Sequence, residues 1–192
     1  MSNDTITATD PYFTDNLLEE LSLLPNLENK NAGILKIVPS IYTNHNAIEN
    51  VLDYIEDHPI HNGCNGIGCS PNAVNAISDF QYTQELYDKT NGKQLRHYIV
   101  ALKPSYEIDV FGIHNIAYAI GYYFFNQGFQ TFYGIHWNNC PEGGYHIHYA
   151  VNHVSCFNGV RYNATKDEKR NLLDYISQLP YNLAIRPVSS NF

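Results

Sequence analysis

Residues 130–154 read QTFYGIHWNNCPEGGYHIHYAVNHV. Two runs rich in β-branched and aromatic residues, QTFYGIHW and YHIHYAVNHV, flank NNCPEGG, where Pro141, Gly143 and Gly144 mark a reversal. The pattern predicts a β-hairpin. Side chains alternate along a strand, so His146 and His148 face one side together and His153 faces the other. The reversal lays the first strand beside the second, and His136 arrives on the same face as His146 and His148. Three neutral imidazoles can hold a divalent metal and leave positions open for water or a phosphate oxygen. A His-x-His pair alone is a weak signal, and a third histidine delivered across a hairpin strengthens it. Hydrogen-bonded histidines on a half-buried sheet would show the same spacing, and the residues alone leave both readings open.

Outward from the hairpin, strand-like and helix-like segments alternate. GILKIV (33–38) reads as a strand. Asn44 to Asp57 reads as a helix with Asn44 as N-cap, its apolar positions Ile48, Val51, Leu52 and Ile55 following i, i+3, i+4, i+7 spacing. Residues 58–71, HPIHNGCNGIGCSP, read as a glycine-rich loop, and 72–88 as a helix. LRHYIVALKP reads as a strand, Asp109 to Gln127 as a helix, and Ala164 to Leu179 as an amphipathic helix; the tail adds an edge strand. This mixture predicts an α+β fold with a central antiparallel sheet flanked by helices. Residues 1–31 carry six acids and one base, a net of −5, and form an acidic arm with a short helix in DNLLEELSLL. Residues 32–192 form the domain proper.

The composition narrows the class. At 192 residues, 44% hydrophobic and 16% charged, the chain fits one folded domain. Its 11 Lys+Arg against 19 Asp+Glu give −8, which argues against holding nucleic acid by bulk positive charge. The longest apolar stretch, 110–125, is interrupted by His114 and Asn115, so it reads as a buried helix rather than a membrane span. The N-terminus has no basic start and no apolar signal core, and Cys64, Cys69, Cys140 and Cys156 read as free thiols of a cytoplasmic protein. No Glu sits beside the histidine pair as in a zinc protease helix. No nucleophile-elbow serine is present, and the 62–68 loop lacks the Lys-Ser/Thr of a P-loop. Tyrosine, with 16 copies, is the abundant candidate for an attacking group.

Three blocks, in order, resemble the conjugative relaxases of the MobA/MobL and T-DNA-transfer type, within the HUH endonucleases. They are KIVPSIYTNHNAIENVLDYIEDHP, YDKTNGKQLRHYIVALKPSYEID and TFYGIHWNNCPEGGYHIHYAVNHVSCFNGVRYN. The resemblance implies an HUH-type fold and nicking of single-stranded DNA at the origin of transfer of a plasmid or mobile element in a bacterial cytoplasm. It implies a covalent 5′-phosphotyrosine and a freed 3′ hydroxyl. Carried over by position, Tyr54 matches the nucleophile, and His136, His146 and His148 match the ligands of a divalent metal. That metal is expected to be Mg²⁺ or Mn²⁺, with Zn²⁺ or Ni²⁺ as crystal substitutes. Tyr54 lies on the flank of its helix, about 100° from the apolar stripe. Asn138 stands where the family has Asp, Ala101 where it has Ser, and Glu107 is displaced by one residue. Asn138, Asn152 and Glu107 are the expected supporting residues around the metal. Lys36, Arg96, Lys103, Arg161 and Lys166 are expected DNA contacts, and accessory mobilisation or coupling proteins are expected partners.

Competing readings use the same residues. Tyr175, in LLDYISQL downstream of the histidine pair, has the order seen in rolling-circle replication initiators and related transposases. A catalytically inactive DNA-binding relative would keep the fold, with Asn138, Ala101 and the acidic arm in its favour. A small-molecule metalloenzyme with three histidine ligands would instead need a closed apolar pocket.

Overall fold

The hairpin expectation holds at the level of register. β4 (Thr131–Trp137) and β5 (Tyr145–Asn152) pair antiparallel, with His136 opposite His146 and Gly134 opposite His148. The computed structural model describes Leu23 and residues 31–39, 42–44, 46–57, 63–103, 108–137 and 144–188. Apart from Leu23 and Asn31, the acidic arm lies outside the described residues, as do Cys140, Glu107 and Asn138. The remaining elements are β1 (Asn31–Ile37), α1 (Ala47–Asp57), β2 (Cys64–Ile67), α2 (Ala73–Leu86), β3 (Leu95–Leu102), α3 (Val110–Phe125), α4 (Lys166–Ser177) and β6 (Leu183–Pro187).

The six strands form one sheet in the order β2-β4-β5-β3-β1-β6. Every neighbouring pair is antiparallel except β1 and β6, which run parallel. The architecture is α+β as expected, but the sheet is mixed. The chain reaches β6 through α4, and a crossover of that length can deliver a parallel edge strand.

Two helical layers cover the sheet. Ile48, Val51, Leu52 and Ile55 of α1 and Ala76 and Phe80 of α2 pack on Leu95, Phe132 and Ala150. Each fully buried Ile, Val or Leu contributes roughly 1.5–3 kcal/mol relative to exposure. On the other face, Ile113, Ile116, Ile120 and Phe124 of α3 and Leu172 and Ile176 of α4 pack on Tyr98, Val100, Ile147 and Tyr149. The even-numbered residues of β5 therefore face α1 and α2, and the odd-numbered ones face α3 and α4.

Helix starts follow capping chemistry. Asn72 caps α2 by accepting from the Asn75 N–H, and Asp109 caps α3 by accepting from the Gly112 N–H. Thr165 and Glu168 form a reciprocal capping box on α4. α1 begins at Ala47, three residues after the expected cap, although the Asn44 carbonyl accepts from the Ala47 N–H at 3.2 Å.

One expected loop contains a strand. Within 58–71, residues 64–67 form β2 and pair with β4, Cys64 opposite Gly134. CNGI carries little intrinsic strand preference, so pairing with a buried neighbour decides its state. Gly66 is required there, because a Cβ would lie 2.1 Å from the Ser70 carbonyl oxygen. Cys64, Cys69 and Cys156 are free thiols, and burial pushes the Cys64 and Cys69 thiols up to about 12. No helix among the described residues is long and apolar enough to cross a membrane.

Candidate metal centre

The register of β4 and β5 places three imidazoles on the α1 side of the sheet. The candidate ligand atoms of His136, His146 and His148 all lie within 4.8 Å of one another. Ring centroids are 4.6 Å apart for His136–His148, 5.1 Å for His146–His148 and 5.3 Å for His136–His146. All three rings are buried, at 3%, 3% and 0% exposure. Small rotations would bring them onto one cation, whose bonds to imidazole nitrogen are about 2.0–2.1 Å in the zinc case. The donor set fits a metal: three nitrogens, no competing carboxylate in the group, and coordination positions left for oxygen ligands.

Hydrogen bonds around the rings decide which nitrogen is available. His148 Nδ1 lies 2.9 Å from His97 Nε2, and His97 Nδ1 lies 3.1 Å from the Tyr42 hydroxyl oxygen. If His148 ligates through Nε2, its proton sits on Nδ1 and is donated to His97 Nε2. His97 then carries its own proton on Nδ1 and donates it to Tyr42. The chain fixes both tautomers in one direction. His136 behaves differently. Its Nε2 donates to the Ile55 carbonyl at 3.0 Å, which leaves Nδ1 with the lone pair.

His97 escaped the sequence reading. It lies on β3 at the same parity as Ile99, which pairs with His148. The only signal was its alternation in LRHYIVAL, and that signal has meaning only once β3 is known to lie beside β5. His97 would orient the His148 ring toward a bound ion without reaching the ion itself. His97→Phe keeps the ring volume and removes both hydrogen bonds. Titration calorimetry with Mn²⁺ is expected to show affinity lowered about 10–100-fold, and wild-type affinity would exclude the positioning role.

The same hydrogen bonds join α1 to the ligand strand. The last carbonyls of a helix lack partners within it. That of Ile55 accepts from His136 Nε2 and, at 3.3 Å, from the Cys64 thiol. Glu56 accepts from the Ala73 N–H at 2.9 Å, tying the end of α1 to the start of α2. Tyr54 sits half-buried between these contacts. Its ring meets His136 and His148 edge-on, with centroids 5.7 and 5.4 Å apart.

This approach depends on Gly134. A Cβ there would lie 2.6 Å from Ile55 Cγ2 and 2.7 Å from the Ile55 carbonyl oxygen. Gly134→Val is expected to push α1 off the sheet, costing about 1–3 kcal/mol by overpacking. Urea denaturation of the variant checks this, and an unshifted midpoint would refute the close-packing argument.

The other expected site residues disperse. Asn152 shares the histidine face, but its amide is held by Gln84, Gln130 and the Phe80 carbonyl. Ala101 pairs with His146 and brings only a methyl group to that side. Lys36 pairs with Ile99 and lies on the histidine face, and Lys103 follows the end of β3 nearest His146. Arg96 is on the reverse face, opposite Val151, and Arg161 lies beyond β5, bridged to Val154. Glu107 and Asn138 lie outside the described residues. Tyr175 packs with the α3 and α4 core, its hydroxyl donating to the Ala119 carbonyl at 3.1 Å. The sheet therefore stands between Tyr175 and the three imidazoles. Burial, with Tyr122 nearby, raises the Tyr175 hydroxyl above its ordinary value.

A family model described as "Relaxase: MobA/VirD2-like, nuclease domain" matches residues 53–180, about two thirds of the 192 residues and inclusive of Tyr54 and the three histidines. No curated protein and no solved structure matches the chain.

Proposed function

Because the chain belongs to the MobA/VirD2-like relaxase nucleases, we propose that it nicks one DNA strand at an origin of transfer, using Tyr54 as nucleophile. The observation that carries this reading is the Tyr54 ring lying against His136 and His148 in a group able to hold a cation. His136, His146 and His148 would hold a divalent ion, Mg²⁺ or Mn²⁺, which supplies positive charge for the phosphate oxygens as negative charge grows there.

Tyr54 Oη attacks the phosphorus of one phosphodiester and loses its proton. The new bond is Oη–P, and the bond to the 3′ oxygen breaks. That oxygen leaves and takes up a proton, so the products are a 3′ hydroxyl and a 5′ phosphate joined to Tyr54. The ester energy is kept, and reversal by a 3′ hydroxyl reseals the strand without ATP. His97 and Tyr42 would hold the His148 ring in orientation while this occurs. The packing of α1 on Gly134 would keep Tyr54 in place, which favours reaction because the attacking group is pre-positioned.

Single-stranded DNA and the accessory proteins that expose it are the partners this reading requires. The alternative nucleophile Tyr175 has less support, since its hydroxyl is engaged across the sheet. A pool of randomised single-stranded oligonucleotides, incubated with the protein and Mn²⁺, tests the reading. Cleavage that stops on chelation is the expected result. Metal bound without cleavage of any pool member would overturn it in favour of a DNA-binding relative without chemistry.

A further inference from the structure

Seven of the eleven Lys and Arg residues fall in two short segments, 89–96 and 161–170, although the chain is net −8. The fold brings these segments together. Arg161 donates to the Asn91 carbonyl at 2.8 Å and to the Lys89 carbonyl at 3.4 Å. Lys89 donates to the Gly159 carbonyl, and the His153 N–H to the Gln94 carbonyl. The Arg96 guanidinium lies 5.6 Å from the Tyr162 ring centroid.

Burial, and after it the neighbouring cations, disfavour the charged forms of several of these groups. Burial lowers Lys93, with Arg96 adding to it, and burial lowers Lys169, with Arg96 and Lys166 adding. His153 is held down to about 4 by burial, then by Arg96, Arg161 and Lys93. Two acids of α4 are engaged within that helix. Asp167 pairs with Arg170 along α4, and Glu168 is used in the capping box. Among the described residues, Lys93, Arg96, Arg161 and Lys166 have no carboxylate at ion-pair distance, and the buried Arg96 Nε has no hydrogen-bond partner. Lys166 also opens α4, where the helix dipole disfavours a cation. Positive charge gathered in this way attracts an anionic partner.

The cluster is away from the metal centre. Arg96 precedes Ile99, the residue opposite His148, by three positions, roughly 10 Å of strand, and it faces the other side of the sheet. A polar cleft of about 320 Å³ is lined by Thr43, Gln81, Glu85, Thr90 and Asn91 among others, sequence neighbours or backbone partners of residues in both regions. Thr43 adjoins Tyr42, the partner of His97, and the Asn91 carbonyl is the one Arg161 holds. The lining side chains are neutral except for Glu85, which suits the passage of bases more than phosphates.

We propose that Lys93, Arg96, Arg161, Lys166 and Lys169 form a second anchor for the backbone of the DNA, gripping phosphates remote from the one cut at Tyr54. The proposal rests on the nicking reading for its choice of anion. Its test does not depend on cleavage. Binding of fluorescein-labelled (dT)30 is followed by anisotropy, without metal, from 50 to 200 mM salt. The variant Lys93→Gln/Lys166→Gln/Lys169→Gln is compared with the wild-type chain and with Tyr54→Phe. Each lost phosphate contact lowers the slope of log affinity against log salt by about 0.7 for a single strand. The triple variant is therefore expected to lose about 2 from the slope, while Tyr54→Phe keeps all of it. Lys166→Glu alone, on an exposed position, is expected to lose about 0.7 or more and serves if the triple variant fails to fold. Unchanged slopes in folded variants overturn the anchor and leave the nicking reading standing. Failure to cleave the oligonucleotide pool, with the slope loss intact, overturns the nicking reading and leaves the anchor.

Discussion

Tyr54→Phe is expected to reduce strand cleavage by about 10³-fold or more while leaving Mn²⁺ affinity and folding stability close to wild type. The substitution removes one oxygen and keeps the ring that packs on the α1 and α2 core and meets His136 and His148. Loss of a nucleophile removes the chemical step itself, so the rate falls to what the remaining groups support with water. The control is Tyr175→Phe, which breaks one hydrogen bond to the Ala119 carbonyl. That bond contributes about 0.5–1.5 kcal/mol to stability, and cleavage is expected to be unaffected. Rates from a single-stranded substrate, beside calorimetric metal binding for both variants, separate the cases. Cleavage that survives in Tyr54→Phe and is lost in Tyr175→Phe would transfer the nucleophile to the other face of the sheet.

His148→Ala carries the second large effect. His148 is fully buried, belongs to the histidine group and shares a hydrogen bond with His97 of β3. Its removal deletes one of three ligands and leaves His97 Nε2 without its partner. Altering only a hydrogen bond to a ligand costs about 10–100-fold in affinity, so removing the ligand is expected to cost more than about 100-fold. Cleavage should fall in parallel. The metal-free protein is also expected to lose about 1–3 kcal/mol, since a buried polar group is left unsatisfied. Calorimetry gives the affinity, and urea denaturation in the presence of chelator gives the stability. A variant that binds Mn²⁺ as tightly as wild type would show that the three rings do not act as one ligand set.

What could be read in the sequence follows from the range of each signal. Alternation along 145–152 is local, so the shared face of His146 and His148 was legible, and the proline and glycines between the two runs signalled the antiparallel pairing that sets His136 opposite His146. The stripe of α1 was legible for the same reason. Tyr54 was marked by resemblance and by its place on the helix flank, and its partners were not. They depend on Gly134 and on the Ile55 carbonyl, which come from separate elements.

β2 was hidden because its four residues are held by pairing with β4 rather than by their own preferences. His97 was hidden because strand order is not a local property. Asn152 shows the limit of alternation: it shares a face with the ligands, yet Gln84 and Gln130 claim its amide. The net charge has a different limit. It describes the whole chain, while the cations gather where residues about seventy positions apart meet.

The most direct measurement locates the covalent bond. The protein is reacted with the oligonucleotide pool and Mn²⁺, digested with nuclease and protease, and its peptides are read by tandem mass spectrometry. The expected product is a nucleotide joined through its 5′ phosphate to Tyr54, absent when metal is chelated and absent in His148→Ala. A nucleotide on Tyr175 or any other residue, or cleavage with no protein-linked product, would contradict it.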